Sequence, residues 1–73
     1  MTIVIDKSFQ IFIKTTSKVD WDHALYLGRH KTFDEAIARA KKENEGMPFE
    51  YWVRDVIKNK NWYGYVGRYR YNG

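Results

Sequence analysis

"KTFDEAIARAKKENEGMP", residues 31–48, is the passage around which the rest of this 73-residue chain arranges itself. Thr32 stands where a helix N-cap belongs, and Glu35 follows three residues later, the spacing of a reciprocal capping box. Asp34 and Glu35 lie where the positive end of a helix dipole favours acids. Lys41 and Lys42 lie toward its negative end. Phe33, Ala36, Ile37 and Ala40 recur at i, i+3, i+4 and i+7, which draws one narrow apolar stripe. Gly46 suits the left-handed conformation that ends helices, and Pro48 blocks continuation. The reading is a helix over 33–45, roughly 20 Å long, with a single face to bury.

The segments on either side alternate with the period of strands. "SFQIFIKT" (8–15) sets Phe9, Ile11 and Ile13 against Gln10, Phe12 and Lys14. "HALYLGR" (23–29) sets Leu25 and Leu27 against Ala24 and Tyr26, and "SKVDWD" (17–22) joins the two. After the helix, "PFEYWVRDVI" (48–57) and "NWYGYVGRYRY" (61–71) alternate again, with "KNKN" (58–61) as the hairpin loop. The order is β-β-α-β-β. The expected fold is a two-layer α+β domain spanning 1–73, with one helix on one face of a four-stranded antiparallel sheet.

A loop centred on Asn59–Lys60 pairs Ile57 with Trp62, whether it has two residues or four. The ladder then sets Asp55 against Gly64, Val53 against Val66 and Tyr51 against Arg68. On the opposite face it sets Val56 against Tyr63, Arg54 against Tyr65, Trp52 against Gly67 and Glu50 against Tyr69. Face one thus collects Phe49, Tyr51, Val53, Ile57, Trp62 and Val66 with Phe9, Ile11, Ile13, Leu25 and Leu27, and the helix stripe belongs on it. Face two collects Trp52, Arg54, Tyr63, Tyr65, Tyr69 and Tyr71 with Phe12, Lys14 and Tyr26. One helix covers one face of such a sheet, so face two is left for solvent or a partner.

Composition narrows the function. Thirteen Lys and Arg against nine Asp and Glu give a net charge of +4, which favours acidic partners. The chain has no cysteine, which removes disulfides and thiolate metal sites and fits a reducing, cytoplasmic setting. No apolar run approaches the ~18 residues of a membrane span, and no signal peptide is evident at the start. His23 and His30, even with Asp20 and Asp22 nearby, match no metal-ligand spacing. Ser8, Ser17, Thr15 and Thr16 lack the context of a nucleophile, and the glycines form no phosphate loop. The reading is therefore non-catalytic, with no metal or cofactor.

What remains is the aromatic and basic face. Rings on a sheet stack on unpaired bases while Lys and Arg neutralise phosphates. On that reading Tyr26, Trp52, Tyr63, Tyr65 and Tyr69 supply rings, and Lys14, Arg54, Lys58, Lys60, Arg68 and Arg70 supply charge to DNA or RNA. Tyr, Trp and Arg are also the residues enriched at protein interfaces, so a protein partner, or a second copy of the chain, is the alternative. A third reading is that the rings only stabilise an exposed sheet, since cross-strand aromatic pairs do so unaided.

"LYLGRHKTFDEAIARAKKENE", residues 25–45, resembles the strand-to-helix passage of AP2-type DNA-binding domains and of the related arm-binding domains of tyrosine recombinases. The matching positions are Leu27, Gly28, Thr32, Phe33, Glu35, Ala36 and Ala40. The resemblance implies a helix packed behind a DNA-binding sheet. Those domains place three strands before the helix and their base-contacting residues on them, whereas two precede it here, so no contacting residue carries over. The whole chain also resembles small β-β-α-β-β proteins of phage and bacterial genomes, which implies a host protein as a possible partner.

Overall fold

The computed structural model describes residues 7–16 and 18–67. They form β1 (Phe9–Lys14), a 3₁₀ turn (Trp21–His23), β2 (Leu25–His30), α1 (Phe33–Glu43), β3 (Phe49–Asp55) and β4 (Lys60–Val66). The strands make one antiparallel sheet in the order β2-β1-β3-β4. The expected α+β arrangement is the observed one. Both β2 and β3 run antiparallel to β1, so they are parallel to each other, and α1 connects them across the strand between.

Helix α1 starts at its predicted cap: the Glu35 amide donates to Thr32 Oγ1 at 3.1 Å. It ends two residues earlier than the alternation suggests. Gly46 N–H reaches Lys41 O and Glu45 N–H reaches Lys42 O, at 3.0 and 3.1 Å, which is the nested pair of a Schellman motif. Gly46 takes the left-handed conformation expected of it, at φ 78°, and Glu45 before it is left-handed as well, at φ 53°. Asn44 braces the turn by donating from Nδ2 to the carbonyls of Met47 and Pro48.

The helix lies closest to β1 and β2. Ala36 and Ala40 are fully buried there, and their small side chains let the helix approach the sheet closely. Beneath them Ile11, Ile13, Phe49 and Val53 complete a core to which Phe9, Leu27, Phe33, Ile37, Tyr51 and Val66 are packed. All belong to face one or to the helix stripe. The sorting of odd and even positions holds in both hairpins up to one bulge.

The pairing within the second hairpin differs from expectation. Val53 lies opposite Trp62 rather than Val66, Tyr51 opposite Gly64, Trp52 opposite Tyr63, Glu50 opposite Tyr65 and Arg54 opposite Asn61. Asp55 pairs with Lys60, not Gly64. The loop is Val56–Asn59 instead of "KNKN", because Asp55 fixes it. Its Oδ1 accepts from the amides of Ile57 at 3.0 Å and Lys58 at 3.2 Å, and Asn59 takes φ 56°. Val56 N–H turns instead to Ser8 O at 2.9 Å. Neither Val56 nor Ile57 therefore has a partner in β4, and Ile57 leaves the core for an exposed turn. The slip is an even number of residues, so every residue of β4 keeps its face.

This register gives Gly64 a purpose. A Cβ there would stand 2.5 Å from Tyr51 Cζ, because the Tyr51 ring lies across the glycine. The expected cover of a strand glycine by a cross-strand ring is thus present, but Tyr51 and Gly64 make it rather than Trp52 and Gly67. In the first hairpin Gly28, at φ 89°, absorbs an extra residue in β2. Phe12 pairs with Tyr26 while Gln10 pairs with Arg29. The bulge therefore turns Arg29 onto face two, where strict alternation from Leu25 and Leu27 would have sent it beneath the helix.

Candidate nucleic-acid interface

Face two is organised in three rows that cross the strands. The middle row is aromatic: Tyr26, Phe12, Trp52 and Tyr63 are successive cross-strand partners in β2, β1, β3 and β4. Their ring centroids are separated by 4.9, 4.6 and 5.9 Å, with interplanar angles of 34°, 23° and 8°. Rings that stand on a sheet and stack on their neighbours present their edges outward. Phe12 and Trp52 have a ring against each side, and at these separations no base enters between them. The outer positions, Tyr26 and Tyr63, are exposed.

Trp21 closes this row from one end. The 3₁₀ turn folds the β1–β2 connection over the sheet, which brings Trp21 to 6.1 Å from Trp52 and 5.9 Å from Tyr63. The second row is Lys14, Glu50 and Tyr65, and its Lys14 meets Trp21. Lys14 Nζ lies 4.5 Å above the Trp21 ring, donates to Val19 O at 2.6 Å and approaches Glu50 Oε1 at 4.0 Å. Its side chain is only 9% exposed. Lys14 is on the expected face, but its charge is occupied by the fold. Tyr65, opposite Glu50, is exposed.

The third row is polar and basic: Arg29, Gln10, Arg54 and Asn61. Gln10 Nε2 approaches Tyr26 Oη at 3.5 Å, and Asn61 Oδ1 accepts from Trp52 Nε1 at 2.9 Å, so two members brace the rings next to them. Arg29 and Arg54 are exposed, and neither has a carboxylate within ion-pair distance among the described residues. Neighbouring strands lie about 4.8 Å apart, so the two guanidinium stems rise roughly 10 Å from one another with Gln10 between them. No acid lies in this row.

The same end of the sheet gathers further cations. Lys7 precedes β1, Lys31 follows β2, Lys58 sits in the hairpin loop and Lys60 opens β4. With Arg29 and Arg54 they give one end of the molecule a basic character. Among the described residues, the acids that open or close elements at this end are Asp34 and Glu35 in the first turn of α1 and Asp55, which is buried and bonded to loop amides. Lys58 and Lys60 thus stand at the rim, and by its pairing with Asp55 Lys60 belongs to the helix side. Arg68, Tyr69, Arg70 and Tyr71 lie outside the described residues.

Sequence reasoning grouped Tyr26, Trp52, Arg54, Tyr63 and Tyr65 on one face, and the sheet brings them together there. It missed Arg29, which only the Gly28 bulge places, and Trp21. A tryptophan in an otherwise polar connection was the available signal for the latter, since so large a ring seeks an apolar surface within reach. Among the described residues no group of three or more His, Cys, Asp or Glu side chains could hold a metal. No helix among them is long and apolar enough to cross a membrane. Comparison with known protein families, curated proteins and solved structures returns no match for this chain.

Proposed function

We propose that this protein is a non-catalytic binding module that engages nucleic acid, DNA or RNA, through face two. One observation carries the reading: an acid-free row with two arginines that make no ion pair among the described residues, Arg29 and Arg54, runs beside a row of rings whose outer members, Tyr26 and Tyr63, are exposed. The arginines meet phosphates and set the register of the strand, because guanidinium forks match phosphate oxygens. Tyr26, Tyr63 and Tyr65 offer the accessible rings for bases, while Phe12, Trp52 and Trp21 hold them upright. Lys58 and Lys60 extend the positive field beyond the sheet. The basic, cysteine-free composition suits a cytoplasmic location, and the partial likeness of residues 25–45 to AP2-type domains points the same way.

A second reading has its own support. Packed rings with exposed tyrosines on the edge strand β4, flanked by arginine, also suit a protein partner or a second copy of the chain. Affinity capture from lysate with and without nuclease separates the two. On the nucleic-acid reading, captured material disappears with nuclease. In addition, Arg29→Ala with Arg54→Ala weakens binding to a single-stranded oligonucleotide by about tenfold or more. The substituted side chains are exposed, so the fold is retained. Unchanged oligonucleotide affinity in that double variant would exclude face two as a nucleic-acid site.

A further inference from the structure

Around the corner from face two, at its basic end, a pocket of about 360 Å³ opens on the helix side. It is lined by Phe9, Phe33, Asp55, Lys58, Lys60 and Trp62. The geometry points to a site for a nucleoside phosphate, with the base against the aromatic wall and the phosphate between Lys58 and Lys60. The pocket lies apart from the three rows above, and the inference stands on its own observations.

The wall is built of three rings. Trp62 is central, 6.0 Å from Phe9 and 5.9 Å from Phe33, inclined at 32° and 71°. Phe9 opens β1 and Phe33 opens α1, so the helix start and the sheet edge together shape the cavity. Trp62 is 36% exposed although it belongs to face one, because α1 lies closest to β1 and β2 and leaves this corner uncovered. The volume falls within the range of small-molecule sites, roughly 300–1,000 Å³. An aromatic-walled cavity of this size has room for a planar ring.

Charge selects among planar ligands. Lys58 and Lys60 are exposed at the rim, and neither makes an ion pair among the described residues. Lys60 faces Asp55 in the ladder yet forms no bridge with it. Asp55 is 3% exposed, and its Oδ1 is turned to the amides of Ile57 and Lys58. A cationic guest would meet two ammonium groups before that carboxylate. A phosphate attached to the ring meets two free donors instead.

The test is a nuclear magnetic resonance titration of the full chain with adenosine monophosphate, adenosine and phenyl phosphate. Adenosine monophosphate is expected to saturate in the ~1 mM range or tighter. It should move the Trp62 indole N–H and the amides of residues 58–60 while the indoles of Trp21 and Trp52 stay in place. Adenosine binds several-fold more weakly, and Lys58→Gln with Lys60→Gln weakens the monophosphate by about tenfold. Arg29→Ala with Arg54→Ala leaves it unchanged, so failure of face two and failure of the pocket are told apart. Absence of saturation, shifts confined to Trp21 and Trp52, or equal affinity in the lysine variant would overturn the site. Phenyl phosphate binding as tightly as the monophosphate would overturn the nucleotide assignment in favour of a phosphorylated aromatic side chain.

Discussion

Val53 and Trp52 are adjacent in β3, and they meet unlike surroundings. Val53 is wholly buried among Ile11, Phe49 and the alanines of α1. Trp52 is flanked by Phe12, Tyr63 and Trp21 and reaches Asn61 with its indole N–H. Face one is closed by a separate element laid over it. Face two is closed from within, ring against ring, with one tryptophan folded back from a loop. A chain of 73 residues has too little helix to cover both sides of a sheet, and aromatic stacking stabilises the second side without a third layer. The price is an exposed aromatic surface, and beside it lie Arg29 and Arg54, which make no ion pair among the described residues.

Substitutions on the two faces should therefore differ in size. Phe49→Ala removes a fully buried ring from face one and is expected to cost about 4 kcal/mol. That equals the roughly 3–5 kcal/mol a core of this size supplies, so circular dichroism should show a chain about half unfolded at 25 °C. Trp52→Ala on face two loses its ring contacts and one hydrogen bond, about 2 kcal/mol in all. Urea denaturation should then show a lower midpoint but a cooperative transition. If Trp52→Ala proved as damaging as Phe49→Ala, face two would be a second core and not a self-supporting surface.

Trp21→Ala tests the lid alone. It should cost about 1 kcal/mol, the worth of its ring contacts and of the Lys14 ammonium above it. The smallest effect lies at the far end of the helix that covers face one. Glu45→Gly relieves a left-handed non-glycine residue and should stabilise by up to about 1 kcal/mol. A loss of stability there would mean that the Glu45 side chain contributes more than its backbone costs.

The difference between the faces was legible before the register was. The cap at Thr32, the apolar stripe and the alternation of Phe9–Ile11–Ile13 are local signals, and each set one element and its inward side. Pairing along the last hairpin was misread because "KNKN" has loop composition, while the loop is placed by one carboxylate, Asp55, and the alternation runs past it to Ile57. Both registers keep odd residues of β3 opposite even residues of β4, so the faces were right although the partners were not. Arg29 was out of reach for a related reason. Gly28 fits a regular strand as well as a bulge, and only pairing with β1 decides which. The basic end was hidden because its six cations come from separate segments of the chain.

The dependence of oligonucleotide binding on salt tests the central claim, that face two meets phosphates through Arg29 and Arg54. Each phosphate contact on a single strand contributes about −0.7 to the slope of log affinity against log salt. Replacing both arginines by alanine should make that slope shallower by about 1.4 and weaken binding most at low salt. An unaltered slope and unaltered affinity in the folded double variant would contradict the account.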